Sequence, residues 1–460
     1  MSEDTFYHAL KVDADVCFGC THCMHECPTG AIRIKDGIAS IRKDWCVDCG
    51  ECMRACPVDA IYLDQDDFQK IFDYDFRVVL IPAVFIGQFS KHIKKEEIVA
   101  VLIELGFTHV FQVEYTADLV NQSMLEVSEG KNDKPHISPF CPAIVRLIQV
   151  KFPALTEHLL NVKPPIDASA IFYKKHLTSQ GVPEDRIGMF YVTPCAAKIA
   201  AVKSPIGEEK SVIDGVINMD FLYNKVYHFM KQNPDTERGK NLKLPSLFSK
   251  GILWSLSNGE ADHMNGRCLA IDEIHNVIEF LERLETTDEI QNVDFLELRA
   301  CDQSCAGGVL MTGNRFLTVE RLKKRAQKAP LDSSLDRLEY ENALTHLKNN
   351  IRVDDIPSRS MQPFGGDMET ALKRMEQVRN MMCFLPGIDC GACGAPNCQN
   401  LAEDIARREA QLSNCVFLQR MMEKNKKLSS EHAFRIIEKT WGKDRLDKDC
   451  RKKGAKYEGM

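Results

Sequence analysis

The sequence predicts an α/β protein: a central two-lobed domain with parallel sheets, a small α+β domain before it and a small helical domain after it. Two observations predict this architecture. Apolar strand-like runs alternate with helical patterns between about residues 75 and 330, and closely spaced cysteines stand at both ends of the chain. Alternating strands and helices favour parallel sheets. With 460 residues and 44% hydrophobic content, the chain is long enough for two to four domains.

The first 66 residues contain the cysteine spacing C-x2-C-x2-C-x3-C-P twice. The two runs are Cys17, Cys20, Cys23, Cys27 and Cys46, Cys49, Cys52, Cys56. This spacing is typical of bacterial two-cluster ferredoxins, in which the fourth cysteine of each run binds the other cluster. It predicts a ferredoxin domain with one 4Fe-4S cluster on Cys17, Cys20, Cys23, Cys56 and another on Cys46, Cys49, Cys52, Cys27. The alternating segments AIRIKDGIASI and AIYLD suit its small strands.

Zinc or disulfides are the alternatives for these cysteines, but zinc does not require two identical runs that each end in Cys-Pro. Cysteines at metal-ligand spacing favour a reducing, anaerobic cytoplasm over a disulfide-forming compartment. The net charge of −7 gives no nucleic-acid-binding signature. No apolar run reaches membrane-spanning length, and the first residues lack the pattern of a secretion signal. We therefore expect a cytoplasmic protein that neither spans a membrane nor binds nucleic acid.

The central region contains the strand candidates. VVLIPAVFIGQF predicts one buried strand, and EEIVAVLIELGFTHVFQVEY predicts a helix that stops at Gly106 before a strand. RIGMFYVTPC and NVDFLELRAC predict strands that end at cysteines, where ligands of parallel sheets bind. The cysteines of this region are Cys141, Cys195, Cys301 and Cys305. From spacing alone they are either one ligand set or buried structural thiols, and both alternatives stay open.

The C-terminal part begins after a segment rich in Pro, Ser, Gly and Asp, which predicts a linker over residues 351–366. A four-cysteine domain is predicted over residues 367–424, with a 4Fe-4S cluster on Cys390, Cys393, Cys398 and Cys415. Zinc is the alternative, but it prefers two paired C-x2-C hooks. A predicted helix, NLAEDIARREAQL, would return Cys415 to the cluster. Residues 425–460 predict a basic tail that is helical or disordered.

Two resemblances follow from these motifs. The C-terminal motif resembles the four-cysteine domain of corrinoid iron–sulfur proteins and ion-translocating ferredoxin oxidoreductases. The segments PFCPAIVRL, VTPCAAK and LELRACDQSCAGG resemble, in order, the three cluster-binding segments of FeFe-hydrogenases, and VFQVEYTADL resembles the lead-in to the first. The second resemblance implies a hydrogenase-like domain over about residues 75–350, a domain also shared by eukaryotic iron–sulfur assembly proteins.

The FeFe-hydrogenase resemblance implies a ligand set. Cys141, Cys195, Cys301 and Cys305 would hold a 4Fe-4S cluster, and Cys305 would also bridge to a two-iron subcluster with CO, cyanide and a dithiolate. Together these two groups form the H-cluster of that family. Lys198 aligns with the lysine that donates a hydrogen bond to a cyanide. The alternative for Lys198 is an ordinary solvated lysine.

The chain also departs from that family at every proton-relay position that aligns. Phe140 stands where the catalytic enzymes have a proton-relaying cysteine, and Ser123 and Met124 replace acidic residues of the proton path. Thr193 and Arg299 replace two methionines near the cluster. Arg299 could clamp an anion or pair with a carboxylate. Proton transfer needs an unbroken chain of groups within hydrogen-bond reach, so the sequence predicts slow or absent hydrogen turnover.

These observations predict a multi-cluster redox protein with a sensory or electron-transfer role. The alternatives are an active hydrogenase with a non-standard proton path and an iron–sulfur cluster assembly factor. No dinucleotide-binding fingerprint is present. Electrons would therefore come from a ferredoxin, another redox subunit, or a subunit that handles flavin or NADH.

Overall fold

The computed structural model of the protein describes residues 6–130, 135–205, 210–235, 237–242, 244, 247–286, 292–331, 337–353, 356–359 and 368–446. The chain forms two compact units. The first contains Met1–Ala9, Val47–Gly50 and Leu63–Arg359, and the second contains Leu10–Cys46, Glu51–Tyr62 and Ser360–Met460. Among the described residues, no helix is long and apolar enough to cross a membrane.

The N-terminal segment forms small strands and two short helices. They are β1 (Leu10–Val12), α1 (His22–His25), β2 (Ile32–Lys35), β3 (Ile38–Ile41), α2 (Glu51–Arg54) and β4 (Ile61–Leu63). β2 and β3 form an antiparallel hairpin, and β1 pairs with β4. Asp36 and Gly37 both have positive φ, as a two-residue hairpin loop requires. The strands predicted in AIRIKDGIASI and AIYLD are therefore confirmed.

The central region alternates strands with helices as far as residue 203. Its elements there are β5 (Phe76–Ile81), α3 (Ala83–Gln88), α4 (Lys95–Glu104), β6 (His109–Gln112), α5 (Ala117–Glu129), β7 (His136–Ile137), α6 (Pro142–Lys151), α7 (Pro165–Ser179), β8 (Ile187–Thr193) and α8 (Ala196–Lys203). The rest are β9 (Gly215–Asn218), α9 (Met219–Gln232), α10 (Ser249–Leu253), β10 (Cys268–Ile271), α11 (Ile274–Thr286), β11 (Phe295–Leu298), α12 (Arg315–Ala326) and α13 (Arg337–Asn350).

Two parallel sheets organise this first unit. One has the strand order β6-β5-β8-β9 and the other the order β10-β11-β7. Every pair in both sheets is parallel, for example Val78 opposite Met189 and Leu296 opposite Ile137. The predicted α/β class with parallel sheets is therefore confirmed. Helices cover the sheets because parallel strands need crossover connections.

The prediction of one strand over VVLIPAVFIGQF is wrong. β5 stops at Ile81, and α3 begins at Ala83, immediately after Pro82. Proline has no amide hydrogen to continue the β ladder, but its fixed φ suits the entry to a helix. All six residues of α3 are buried. An apolar run of this kind has no periodicity, so its helical half cannot be told from a strand by pattern.

The C-terminal part of the second unit is helical. Its elements are α14 (Met368–Met382), α15 (Cys398–Ala406), α16 (Val416–Lys424), α17 (Ser430–Trp441) and α18 (Lys443–Leu446). The helix predicted over NLAEDIARREAQL is too long, because α15 ends at Ala406 and Arg408 adopts a left-handed conformation with φ of 65°. The tail predicted after residue 424 is helical in α17 and α18, and residues 447–460 lie outside the described residues.

The predicted linker lies partly within the described residues. Ile351 is buried in the first unit, Arg352 forms a bridge with Val162, and the Arg359 amide donates to the Gln149 carbonyl. Residues 354–355 and 360–366 lie outside the described residues. The predicted domain boundaries at 66, 75, 350, 366 and 424 stay predictions.

Within the second unit, a buried ion-pair network joins the N-terminal strands to the C-terminal helices. Asp404 accepts hydrogen bonds from Arg33 Nε at 2.6 Å and Nη2 at 3.1 Å, and from Arg42 Nη1 at 2.6 Å. Arg33 and Asp404 are 3% and 5% exposed. Both arginines also stack on the buried Trp45 ring. The two cysteine-rich parts, which are more than 300 residues apart in sequence, therefore pack as one body.

Candidate metal centres

The first predicted ferredoxin ligand set converges on one cavity of the second unit. Cys17, Cys20, Cys23 and Cys56 all line this small cavity. Burial, followed by the neighbouring thiols, raises the pKa of Cys23 to about 12. Amide hydrogens of Ala39 and Ala60 point at the sulfurs of Cys17 and Cys56, at 3.4 and 3.2 Å. These donors would stabilise thiolates, which are the form that binds a metal cluster.

The four cysteines of the second predicted set are divided between the two units. Cys27 belongs to the second unit, and its Sγ accepts the amide of Ala31 at 3.2 Å. Cys46 and Cys52 also belong to this unit, and Cys52 is buried. Cys49 packs against the core of the first unit. The grouping of these four cysteines stays a prediction.

The C-terminal set assembles around a small core. Cys398 and Cys415 are buried in that core, and Cys393 packs against it. Burial, with smaller contributions from the nearby thiols of Cys415 and Cys390, raises the pKa of Cys393 to about 11. The loop is held by Asp389, whose φ is 53° and whose Oδ1 accepts the Cys398 amide at 2.7 Å. The loop before α15 and the 3-10 turn before α16 thus bring the four predicted C-terminal ligands together.

The C-terminal cysteine loop lies against the first ferredoxin loop. A methyl group added to Gly391 would lie 2.8 Å from Met24 Cε and 3.2 Å from His25 Nε2. Gly391 follows Cys390, and Met24 follows Cys23. The Ile34 amide of β2 donates to the Gly394 carbonyl at 2.9 Å. The two cysteine loops are therefore direct neighbours, which their separation in sequence did not indicate.

The central cysteines lie where chain segments leave the carboxyl ends of parallel strands. Cys141 and Cys195 are the N-cap residues of α6 and α8, and Cys305 follows β11 in a short 3-10 turn. Burial raises the pKa of Cys141 and Cys195, and backbone groups of Ala300 and Ile144 at Cys141 and of Lys198 at Cys195 oppose this rise. The Ile144 amide also donates to the Cys141 carbonyl at 3.0 Å. Amides in the first turn of a helix favour a thiolate. Both cysteines are therefore positioned to serve as anionic ligands.

Lys198 connects these cysteines. Its Nζ lies 3.4 Å from Cys305 Sγ. Although burial lowers the pKa of Lys198, the thiolate forms of Cys305 and Cys195 raise it above the usual lysine value. Burial raises the pKa of Cys195 to about 12. Cys301 lies four residues before Cys305, and its carbonyl accepts the Ser304 amide.

A second cavity adjoins Cys305 in the first unit, with a free volume of about 10 Å³, roughly the room for one water molecule. Phe140, Lys198, Trp254 and Glu114 contribute to its wall. Phe140 packs edge-on against Trp254 with ring centroids 4.7 Å apart, and Lys198 Nζ lies 4.3 Å from the Phe140 centroid. The cavity is therefore small, mostly apolar, and provided with one buried ammonium group.

Arg299 lies behind Phe140, fully buried. Its Cζ is 3.8 Å from the Phe140 ring centroid. Its guanidinium pairs with Glu260 at 2.8 Å and with Glu297 at 3.3 Å. Of the two alternatives for Arg299, the structure favours pairing with carboxylates. Its Nη1, however, has no hydrogen-bond partner among the described residues.

Three buried carboxyl groups were not predicted from the sequence. Burial raises the pKa of Glu114 to about 7, against the opposing hydrogen bond from the Ala83 amide. Burial likewise raises the pKa of Glu260 to about 7, against the nearby charge of Arg299. Glu260 also accepts from Ser138 Oγ at 2.7 Å, and Glu297 accepts the Glu260 amide at 2.9 Å. The sequence offers one signal for these buried carboxyl groups, since Glu297 stands inside the strand run FLELRAC.

The clustered cysteines predict the iron content. Reconstitution under anaerobic conditions should give about sixteen irons per chain, because sixteen cysteines in four sets of four suit four cubanes. A Cys390→Ser/Cys393→Ser double variant should lose about four irons. A Cys383→Ser/Cys268→Ser variant is the matched control, because these cysteines lie outside the four sets, and it should lose none. Colorimetric iron analysis that finds eight or fewer irons in the unmodified protein would contradict the prediction.

Three family models match the chain. The C-terminal domain of the iron-only hydrogenase large subunit matches residues 76–233, a 4Fe-4S dicluster domain matches residues 16–61, and a putative Fe-S cluster domain matches residues 385–417. The dicluster match contains all eight N-terminal ligands, and the third match contains all four C-terminal ones. The hydrogenase match contains Cys141 and Cys195.

Solved structures of FeFe-hydrogenases are similar to the chain. One, concerned with oxygen inactivation of the H cluster, is 14% identical with a TM-score of 0.48, and the alignment covers 65% of this chain and 97% of that one. A variant from Chlamydomonas reinhardtii is 13% identical, with a TM-score of 0.46 and coverage of 62% and 94%. An apo variant from the same organism is 14% identical, with a TM-score of 0.47 and the same coverage.

Proposed function

We propose that this FeFe-hydrogenase-like iron–sulfur protein carries electrons between four 4Fe-4S clusters, one of them in a hydrogenase-like site that senses hydrogen or turns it over slowly. The clusters supply one-electron exchange when bound, and a two-iron subcluster would supply the capacity to activate hydrogen.

The residues of the central pocket suit an H-cluster. Cys141, Cys195, Cys301 and Cys305 would hold the cube, with Cys305 shared with the two-iron group. A small cavity lies directly beside this shared ligand. The buried Lys198 ammonium, which lines this cavity, is suited to an anionic metal ligand such as cyanide.

The packing around Phe140 is the main support for slow hydrogen turnover. It is 5% exposed and held between Trp254, Lys198 and Arg299. Trp254 is fixed in turn by a hydrogen bond from its Nε1 to Asn121 Oδ1 at 2.9 Å. A phenyl ring has no proton to give or accept, and the two cations on its faces hold the ring in place. Because this tightly packed ring cannot relay a proton, the packing of Phe140 supports slow proton delivery to the site.

The packing of the second unit supports an electron route that includes the C-terminal cluster. The loop around Gly391 contacts the loop around Met24, so the set with Cys390 would exchange electrons with the set containing Cys23. Phe18, between Cys17 and Cys20, is 50% exposed and marks an edge where a redox partner could dock. We propose a ferredoxin or a flavin- or NADH-handling subunit as that partner. The cytoplasm is the proposed compartment.

Hydrogen turnover tests the role. The purified, matured protein should evolve hydrogen about 10²–10⁴-fold more slowly than a catalytic FeFe-hydrogenase, because a positioned acid or base contributes that much. Infrared spectra should still show bands of metal-bound CO and cyanide. Phe140→Cys should raise the rate, and Phe140→Leu is the control that opens the wall without adding a proton carrier. A rate equal to that of catalytic enzymes in the unmodified protein would refute the sensory role.

A second candidate, an active hydrogenase with a non-standard proton path, is favoured by the buried carboxyl groups. Ser138 Oγ accepts the Phe140 amide at 3.2 Å and donates to Glu260, which pairs through Arg299 with Glu297. With its pKa raised to about 7, Glu260 can hold or release a proton near neutral pH. Fast turnover that Glu260→Gln abolishes would support this candidate.

A further inference from the structure

A basic pocket opens on the first unit, outside the cysteine sites. It is formed by α3, the start of α4, the end of β6, α10 and α12, and its volume is about 330 Å³. This volume lies at the lower end of the range of small-molecule sites, roughly 300–1,000 Å³. Its floor is apolar and includes Ile86, Ile252 and Leu322. An apolar floor under a polar rim is the usual anatomy of a site for an organic ligand.

The rim is strongly cationic. Lys91, Lys94, Lys95, Arg325 and Lys328 line the pocket, and Glu96 is the one carboxylate beside them among the described residues. Within the described part of the chain, no carboxylate lies within 4.0 Å of the charged groups of Lys91, Lys94, Arg325 or Lys328. By contrast, Lys324, on the same helix as Arg325, pairs with Glu320. The cations of the pocket thus have a deficit of negative charge.

Two cations of the rim, Arg325 and Lys95, are half-buried, and the pKa of each is lowered. Burial and the adjacent Arg321 lower the pKa of Arg325, despite the opposing charge of Glu96. Burial also lowers the pKa of Lys95, where Glu96 opposes the shift and Arg325 adds to it. Cations held close together in this way are relieved by a bound anion.

The start of α4 adds backbone donors. Its N-cap residue is Lys94, a side chain with donors and no acceptor for the amides of the first turn. The helix is ten residues long, and Glu97 accepts only the Lys94 amide, at 3.2 Å. Helix N-terminal amides beside lysines form a common phosphate-binding arrangement. The cationic rim and the uncapped amides therefore point to the same ligand chemistry.

We propose that this pocket binds a phosphorylated small molecule with an apolar or aromatic body, the chemistry of a nucleoside phosphate. The phosphate groups would lie on Lys94, Arg325 and Lys328 at the α4 N-terminus, and the organic body would cover Ile86, Ile252 and Leu322. Ala83, which lines this pocket, also donates its amide to Glu114 of the cavity beside Cys305, at 2.8 Å. A ligand here would share a wall with the hydrogenase-like site.

Titration calorimetry of the full chain with ATP, ADP, adenosine and inorganic phosphate tests the proposal. ADP or ATP should bind saturably, and better than adenosine or phosphate alone. Lys94→Gln and Lys328→Gln, both exposed positions, should each weaken binding about tenfold, as expected for the loss of one charged contact. Lys324→Gln, on the same helix but paired with Glu320, is the matched control and should bind as the unmodified chain does.

Four outcomes would overturn the proposal. They are no saturable binding of ATP or ADP, binding of inorganic phosphate with no gain from the nucleoside, equal losses in Lys324→Gln and the pocket variants, or binding of an acidic peptide such as polyglutamate that ATP does not displace. Thermal unfolding of each variant without ligand shows that it is folded. Both lysines are exposed, so their replacement leaves the core intact.

Discussion

Replacing Arg299 with methionine should destabilise the first unit by about 3–5 kcal/mol, the usual cost of removing one partner from a buried ion pair. Arg299, Glu260 and Glu297 are 2%, 1% and 0% exposed. Without the guanidinium, two carboxylates would remain buried beside each other. Loss of the cation removes the charge that opposes burial at Glu260, so the pKa of Glu260 should rise further.

The pH dependence of this loss has a definite sign. A carboxyl group whose folded pKa lies above its unfolded value binds more protons in the folded state, so stability falls as pH rises between the two values. The pKa of Glu260 is already about 7 because of burial. The Arg299→Met penalty should therefore be larger at pH 8 than at pH 5.5, as measured by urea unfolding or by hydrogen exchange of β11.

The control is Arg283→Met, which removes an exposed pair with Glu279 on α11. Exposed pairs contribute little to stability, so unfolding should not change beyond experimental error. An Arg299→Met protein as stable as the unmodified one at pH 8 would show that the carboxyl groups are compensated in another way.

Replacing Asp404 with alanine should weaken the junction inside the second unit by about 3–5 kcal/mol. The change leaves the buried guanidinium of Arg33 without its carboxylate and leaves Arg42 paired with Glu409. Amides of β2 and the following turn, at Ile34, Asp36 and Gly37, donate to the C-terminal part of the chain. Hydrogen exchange at these three amides should accelerate most, because it reports local opening of this junction.

Glu409→Ala is the matched control for the second unit. Glu409 also pairs with Arg42, at 2.9 Å, but its side chain is 41% exposed. Its removal should change exchange little. If Asp404→Ala exchanges as slowly as Glu409→Ala, then apolar packing rather than the ion pair holds the two cysteine-rich parts together.

The sequence by itself determined the metal chemistry and the fold class. Cysteine spacing is local information, since three predicted ligands of each ferredoxin set and of the C-terminal set lie on one short loop, and the repeated C-x2-C-x2-C-x3-C-P pattern predicts clusters without a structure. The parallel strands were also readable where apolar runs were bounded by polar residues. The run that contains Pro82 predicts one strand but holds a strand and a helix, because a fully buried helix and a buried strand have the same composition.

Only the tertiary structure decided what surrounds the cysteines. Glu114, Glu260 and Glu297 come from three distant segments, and the raised pKa values of Glu114 and Glu260 arise from burial, which no sequence pattern specifies. The same holds for the contact of Gly391 with Met24 and for the Arg33–Asp404 pair. Local spacing fixes which residues can bind a metal. The long-range packing of side chains fixes the charge, the space and the neighbours that each metal centre would have.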